Sequence, residues 1–153
     1  VAHDCVVGSH VILANGSALS GHVEVQDHAT LGGFSGVHQF CRVGAHSFMG
    51  GATIATRDVA PFSLTVGNRA HLFGPNLVGL RRRGFAPERI DALRRAFRVL
   101  SSPGVSPAEG ARRLEAEGPL TDEVRQLVEF VRSSRRGVIL QRRGRGASGE
   151  GEE

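Results

Sequence analysis

The chain has 153 residues, 22% of them charged, and a formal net charge of +4 carried entirely on arginine, with no lysine; that length suits one domain, or a repeat array with a small appendage. Its two cysteines, Cys5 and Cys41, form neither a CxxC nor a Cys/His zinc spacing, which excludes a secreted disulfide scaffold and points to a reducing, cytoplasmic setting. No apolar stretch approaches the roughly 20 residues of a membrane span, and the chain opens on Val1 inside a patterned segment, so it reads as a fragment of a longer protein.

Residues 1–60 divide into ten hexads: VAHDCV, VGSHVI, LANGSA, LSGHVE, VQDHAT, LGGFSG, VHQFCR, VGAHSF, MGGATI and ATRDVA. The first position is aliphatic in every hexad and the fifth is always small or β-branched. A fixed six-residue period of this kind predicts a hexapeptide-repeat β-helix, in which three hexads close one triangular coil. Residues eighteen apart then stack in neighbouring coils, roughly 4.8 Å from each other.

That stacking groups the polar residues. One corner collects Ala2-His3-Asp4, Ser20-Gly21-His22 and His38-Gln39-Phe40. A histidine beside a carboxylate is oriented by it and made more basic, which suits a general base. Gly21, without a side chain, leaves room for a ligand and offers a bare backbone N–H to a developing oxyanion. A second corner stacks His10, His28 and His46 with only Asp27 nearby, and reads as solvated surface or packing between subunits. Gly32-Gly33 and Gly50-Gly51 occupy the third corner, where bare backbones in register would leave a groove for a long apolar group.

The hexad rhythm fails at "DVAPFSLTVGN", where Pro61 removes a ladder donor, so the solenoid is expected over 1–66. A helical domain is expected over 67–137. Its first helix starts at Pro87, with Ile90, Leu93, Phe97 and Leu100 at helical spacing; Ser106 and Thr121 cap a second and a third, and Gly137 stops the last. Residues 138–153 read as a disordered tail. Residues 81–98 hold seven arginines against two acids, with Arg81, Arg82 and Arg83 placed before the first helix. Such a block suits phosphate or an acidic partner. Nucleic acid is disfavoured, since no Trp or Tyr interleaves the arginines.

"AHDC", "LSGHV", "GGFSGVHQFCRVGAHSFMGG", "VGN" and "NLVGLRRRGF" resemble the acyl-ACP–UDP-N-acetylglucosamine O-acyltransferases that begin lipid A synthesis. The similarity covers the C-terminal half of that family's solenoid and its helical domain, to about Gly137. The resemblance implies a left-handed parallel β-helix followed by a small α-helical domain, a homotrimer with active sites between subunits, and no cofactor. By resemblance His3 is the general base that takes the glucosamine 3-hydroxyl proton, Asp4 its polar partner and Gly21 the oxyanion-hole donor. His22, His38 and Gln39 hold the sugar nucleotide and the acyl carrier protein's acyl chain; Asn76, Arg82 and Arg83 contact donor or nucleotide phosphate from the adjacent subunit. Gly51 ends the acyl groove. Two residues depart from the family pattern: Val78 replaces a Glu and Arg69 a His. A related N-acyltransferase, or a coenzyme A acetyltransferase, is not expected to carry "NLVGLRRRGF" before three helices. A zinc hydratase on the same helix type would instead use His3, His22 and His38 as ligands, and a purely structural solenoid would use none of these residues; the expectation here is no metal.

Overall fold

The computed structural model describes residues 1–142. Each hexad boundary forms a two-residue strand: β1 Val6–Val7, β2 Ile12–Leu13, β3 Ala18–Leu19, β4 Glu24–Val25, β5 Thr30–Leu31, β6 Gly36–Val37, β7 Arg42–Val43, β8 Phe48–Met49 and β9 Ile54–Ala55. A hairpin of β10 Ser63–Val66 and β11 His71–Pro75 follows. Pairing is parallel and in the eighteen-residue register: Val7 with Val25 and Val25 with Val43, Leu13 with Leu31 and Leu31 with Met49, Leu19 with Val37 and Val37 with Ala55. Three sheets result, β1-β4-β7, β2-β5-β8-β10-β11 and β3-β6-β9, one on each face of the solenoid.

The hexad pattern explains the interior. Leu31, Val43 and Met49 at position one, and Cys41, Ser47 and Thr53 at position five, are buried. Each large aliphatic removed from water contributes about 1.5–3 kcal/mol, while serine is admitted beside them because Ser35 and Ser47 donate to the Gly32 and Gly44 carbonyls, both at 2.7 Å. Position four carries a further signature. Asp4, His10, His22, His28, Phe34, Phe40, His46 and Ala52 all adopt left-handed backbone, φ 56–64°. That conformation costs a non-glycine residue roughly 1–2 kcal/mol, and here it is held by a bond between coils: His22 N donates to His3 O at 3.0 Å and Phe40 N to Gly21 O at 3.1 Å.

The hexad rhythm breaks around Pro61, but strand stacking continues past it. The coil shortens from eighteen residues to sixteen, so that Val59 bridges Val43 and Leu64 pairs with Phe48, and β10 adds another rung before β11 folds back antiparallel. Among the described residues four helices follow: α1 Leu77–Arg82, α2 Pro87–Leu100, α3 Pro107–Ala116 and α4 Asp122–Ser133. Ser106 and Thr121 cap α3 and α4 as anticipated, accepting from Glu109 N and Val124 N. The short α1 was not anticipated; Asn76 caps it, and Arg81 and Arg82 lie in its last turn rather than ahead of the first helix. Nor does Gly137 end α4, which stops at Ser133.

The tail assignment also needs correction at its start. After Gly137, Val138 bridges Asp58, Ile139 N donates to Asp58 O at 2.9 Å, and Leu72 N donates to Gln141 O at 2.8 Å. Ile139 joins the solenoid's core while Val138 and Leu140 join that of the helical domain, so this segment closes the end of the β-helix. Residues 143–153 of the expected tail lie outside the described residues. Asp58, only 1% exposed, fastens α4 to the same end. Its carboxylate accepts from Arg42 N at 2.8 Å and Ser134 Oγ at 2.7 Å, and the Arg42 guanidinium lies over the Phe130 ring at 4.1 Å.

Candidate active site

The corner joining sheet β3-β6-β9 to sheet β1-β4-β7 carries the polar cluster. In register, His3, Gly21 and Gln39 share one column, and Asp4, His22 and Phe40 the next. His3 Nδ1 donates to Asp4 Oδ2 at 2.9 Å. His22 Nε2 stands 3.7 Å from the same oxygen, and the two imidazoles meet edge to face with centroids 5.1 Å apart. Phe40 lies flat beneath His22 at 4.6 Å and 6°; its contribution as a platform was not foreseen, although its place in the column follows from the period. His3, Asp4 and His22 are exposed, as are His38 and Gln39 one coil further on.

Gly21 is buried beneath the His3 ring. A Cβ added to it would stand 2.7 Å from His3 Cε1 and 2.8 Å from Nε2, closer than real contacts allow. The glycine thus lets the imidazole settle directly over the backbone. With Nδ1 committed to Asp4, the unshared pair of His3 is on Nε2, next to the Gly21 backbone. The cluster can therefore accept a proton from a bound hydroxyl while a neighbouring amide faces the charge that develops.

A three-histidine metal site does not form. Among the described residues, those that bring one ligand atom each within 4.8 Å of the others are His3, Asp4 and His22, and His38 is not among them.

The other expected site residues lie elsewhere on the prism. Asn76, Arg82 and Arg83 border a cleft of about 710 Å³ on the β2-β5-β8-β10-β11 face, floored by Ile12, Phe48 and Leu64 and flanked by Phe73 and Leu77. Sequence reading missed this cleft, because its wall exists only once β11 and α1 fold back over the sheet. Asn76 is buried and committed at both ends of its amide, accepting from Gly79 N and donating to His46 O at 3.0 Å. Arg83 Nη2 donates to His28 O at 3.0 Å. Val78, 60% exposed, stands on the cleft's rim, and Arg69 is exposed in the β10–β11 turn. Gly51 sits exposed at the corner between the second and third faces; a Cβ there meets only Gly33 O, at an ordinary 3.5 Å. Gly32 differs: its Cβ would press to 2.7 Å on Gly51 N and Met49 O, so close coil stacking requires glycine there.

The second corner forms a stacked ladder, exposed at His10 and half-buried at His28 and His46. His10, His28 and His46 stack with centroids 4.8 and 4.7 Å apart, and the column continues into Phe62 with Phe85 against the edge of His46. Burial, then the positive charges of Arg83 and His28, lower the His46 pKa from 6.5 to about 4. His46 is therefore a neutral packing element.

Comparisons with known proteins agree with one another. A family model described as UDP N-acetylglucosamine O-acyltransferase, domain 2, matches residues 58–139. An acyl-[acyl-carrier-protein]–UDP-N-acetylglucosamine O-acyltransferase of Burkholderia mallei is 49% identical, covering 91% of this chain and 55% of its own length. The solved UDP-N-acetylglucosamine acyltransferase of Campylobacter jejuni superposes with a TM-score of 0.84 at 38% identity, over 91% of this chain and 54% of that one. The Arabidopsis UDP-N-acetylglucosamine acyltransferase gives 0.82 at 36%, over 89% and 51%. The chain thus spans about half the length of the curated relatives it matches.

Proposed function

The chain belongs to the UDP-N-acetylglucosamine O-acyltransferase family, whose solenoid is a left-handed parallel β-helix, and from that premise we propose that the intact protein transfers a 3-hydroxyacyl chain from acyl carrier protein to the 3-hydroxyl of UDP-N-acetylglucosamine, the first step of lipid A biosynthesis. The observation that carries this reading is the His3 imidazole resting on the bare Gly21 backbone with Nδ1 donated to Asp4. In the proposed step His3 Nε2 takes the proton of the sugar hydroxyl as its oxygen attacks the thioester carbonyl carbon. The C–O bond forms, the Gly21 N–H faces the oxyanion, the C–S bond breaks, and the proton passes from His3 to the departing thiolate. Asp4 holds the ring in the right tautomer and stabilises the imidazolium.

His22, His38 and Gln39 border the same corner and are the proposed contacts for sugar nucleotide and acyl donor. Gly51 occupies another edge of the triangular prism and the Asn76–Arg83 cleft the β2-β5-β8-β10-β11 face, so a groove containing all of them has to be closed by a second copy of the chain. This placement supports a homotrimer with sites between subunits. The Arg82 guanidinium on the cleft rim would then meet phosphate, with Asn76 and Arg83 fixing the wall from which it projects. Exposed Arg95 and Arg98 on α2 offer a face for an acidic carrier protein. No described helix is long and apolar enough to cross a membrane, and the proposed location is the cytoplasm, where carrier and nucleotide are made; no cofactor is needed for the transfer.

An assay of the intact protein with UDP-N-acetylglucosamine and acyl carrier thioesters tests the proposal. Formation of the 3-O-acyl ester is expected; a folded protein that forms none with any acyl length overturns it.

A further inference from the structure

We infer that His3, Asp4 and His22 form a binding site for a borderline divalent transition-metal ion such as Zn2+, and that its occupancy shuts the acyltransferase off. The metal site stands on geometry alone, whereas its inhibitory effect rests on the functional reading above.

Three potential ligand atoms, one from each residue, lie within 4.8 Å of one another. Zn2+ sits about 2.0–2.1 Å from nitrogen and oxygen ligands, so two ligands of a tetrahedral ion stand roughly 3.3 Å apart. The observed separations bracket that value: His3 Nδ1 to Asp4 Oδ2 is 2.9 Å and His22 Nε2 to Asp4 Oδ2 is 3.7 Å. The His3 and His22 ligand atoms lie within 4.8 Å of each other, and because all three side chains are exposed they can move to close the set around an ion. Two imidazoles and one carboxylate select Zn2+, Ni2+ or Cu2+ over Mg2+ or Ca2+, which prefer all-oxygen sites. Phe40, flat against His22, fixes the plane of one ligand in advance. The set leaves the fourth position open to water.

Binding gives the Nδ1 edge of the His3 ring to the metal, and the proton it shared with Asp4 leaves that nitrogen as the neutral ring takes up its other tautomer, protonated on Nε2. Nε2 then has no lone pair to accept the proton of a hydroxyl, and a further positive charge on the ring is opposed by the neighbouring dication. The device is chemically simple: the ligands that make a good base and orienting carboxylate, set one coil from a second histidine, also make a chelate.

Equilibrium dialysis of the intact protein against buffered free Zn2+ tests the site directly. One Zn2+ per chain at micromolar free metal is expected, undiminished by a large excess of Mg2+. His22→Phe and Asp4→Asn should each weaken binding at least tenfold, since losing a ligand costs no less than losing a ligand's supporting hydrogen bond. His22→Phe is compatible with the corner, because Phe34 and Phe40 hold the same hexad position with φ 58° and 64°. His10→Phe, in the stacked ladder away from the cluster, should leave binding unchanged. Absence of stoichiometric binding, or binding that survives both His22→Phe and Asp4→Asn, overturns the site. Acyl transfer measured in parallel should fall with Zn2+ occupancy and recover with chelator. Full occupancy with undiminished transfer would overturn the inhibition and the assignment of His3 as base, leaving the metal site standing.

Discussion

Replacing Gly21 by alanine isolates the contact on which the proposed chemistry rests. The new Cβ would stand 2.7 Å from His3 Cε1 and 2.8 Å from Nε2. Ordinary contact starts near 3.4 Å, so the ring has to retreat by about 0.7 Å. His3 is exposed and can make that move, but doing so carries Nδ1 away from Asp4 Oδ2, now at 2.9 Å. A 1 Å misplacement of a reacting group costs about 100-fold, so kcat should fall roughly 30- to 100-fold. Gly21 is outside the left-handed region, where alanine would be strained. Stability should therefore hold or rise by up to about 1 kcal/mol as the unfolded chain loses freedom. The paired measurement is kcat from acyl transfer together with Tm. His3→Ala should lower kcat about 100-fold or more on its own. In a double-mutant cycle Gly21→Ala should add little to it, because the two act through one imidazole. Normal kcat in folded Gly21→Ala, or two fully additive losses, would refute the placement of His3 over Gly21 as functional.

Gly51→Met should be tolerated, since its Cβ position meets only Gly33 O at 3.5 Å, and should shift the kcat/KM ratio toward shorter acyl donors at about 0.8 kcal/mol per methylene excluded; equal losses with all donors would remove Gly51 as a length limit. Gly32→Ala, by contrast, should lower Tm whatever the donor, because its Cβ would press on the Gly51 and Met49 backbones at 2.7 Å. Charge reversal at exposed Arg95 and Arg98 should raise KM for acyl carrier protein and flatten its salt dependence with kcat little changed; the adjacent Arg94 is left in place, since its Nε is buried. His46, with a pKa lowered from 6.5 to about 4, is neutral in both folded and unfolded chains above pH 6.5. As pH falls from 6.5 to 4 only the unfolded chain gains the proton, so stability is lost across that window and levels off below it. His46→Phe should flatten that part of the Tm-against-pH curve, and an unchanged slope would show that other groups govern it.

The eighteen-residue register was open to reading because it needs only a period: once hexads are counted, His3 over Gly21 and Asp4 beside His22 follow without coordinates. The helices α2, α3 and α4 were readable for the same reason, through spacing and caps. What could not be read lacks a period. The coil that shortens to sixteen residues does so around Asp58, whose buried carboxylate takes its partners from Arg42 and from Ser134, far away in sequence. The segment Val138-Ile139-Leu140 offers three apolar residues in a row beside an arginine- and glycine-rich stretch, and nothing local says that the middle one closes a β-helix while its neighbours face a helical core. The cleft bordered by Arg82 is a product of back-folding, so its lining is scattered from Ile12 to Arg83.

The two histidine corners show how little of the chemistry resides in residue type. His22 and His46 hold the same hexad position and the same φ of 57°. Each lies flat on an aromatic ring, His22 on Phe40 and His46 on Phe62. Their difference comes from the other neighbours. His22 is exposed, with a carboxylate oxygen 3.7 Å away and the His3 edge against it. His46 is half-buried between His28, Phe62 and Phe85, with Arg83 close enough to oppose a positive charge. The second environment suppresses protonation, whereas the first sets a carboxylate beside an open ring edge. In a solenoid those neighbours are set by what stands eighteen residues away, or sixteen at the shortened coil, so changing a column's partner changes the function of an unchanged imidazole. Arg83→Ala should accordingly raise the His46 pKa from about 4, and NMR titration of the ring would detect it; because burial is the larger cause, the rise should stop short of 6.5.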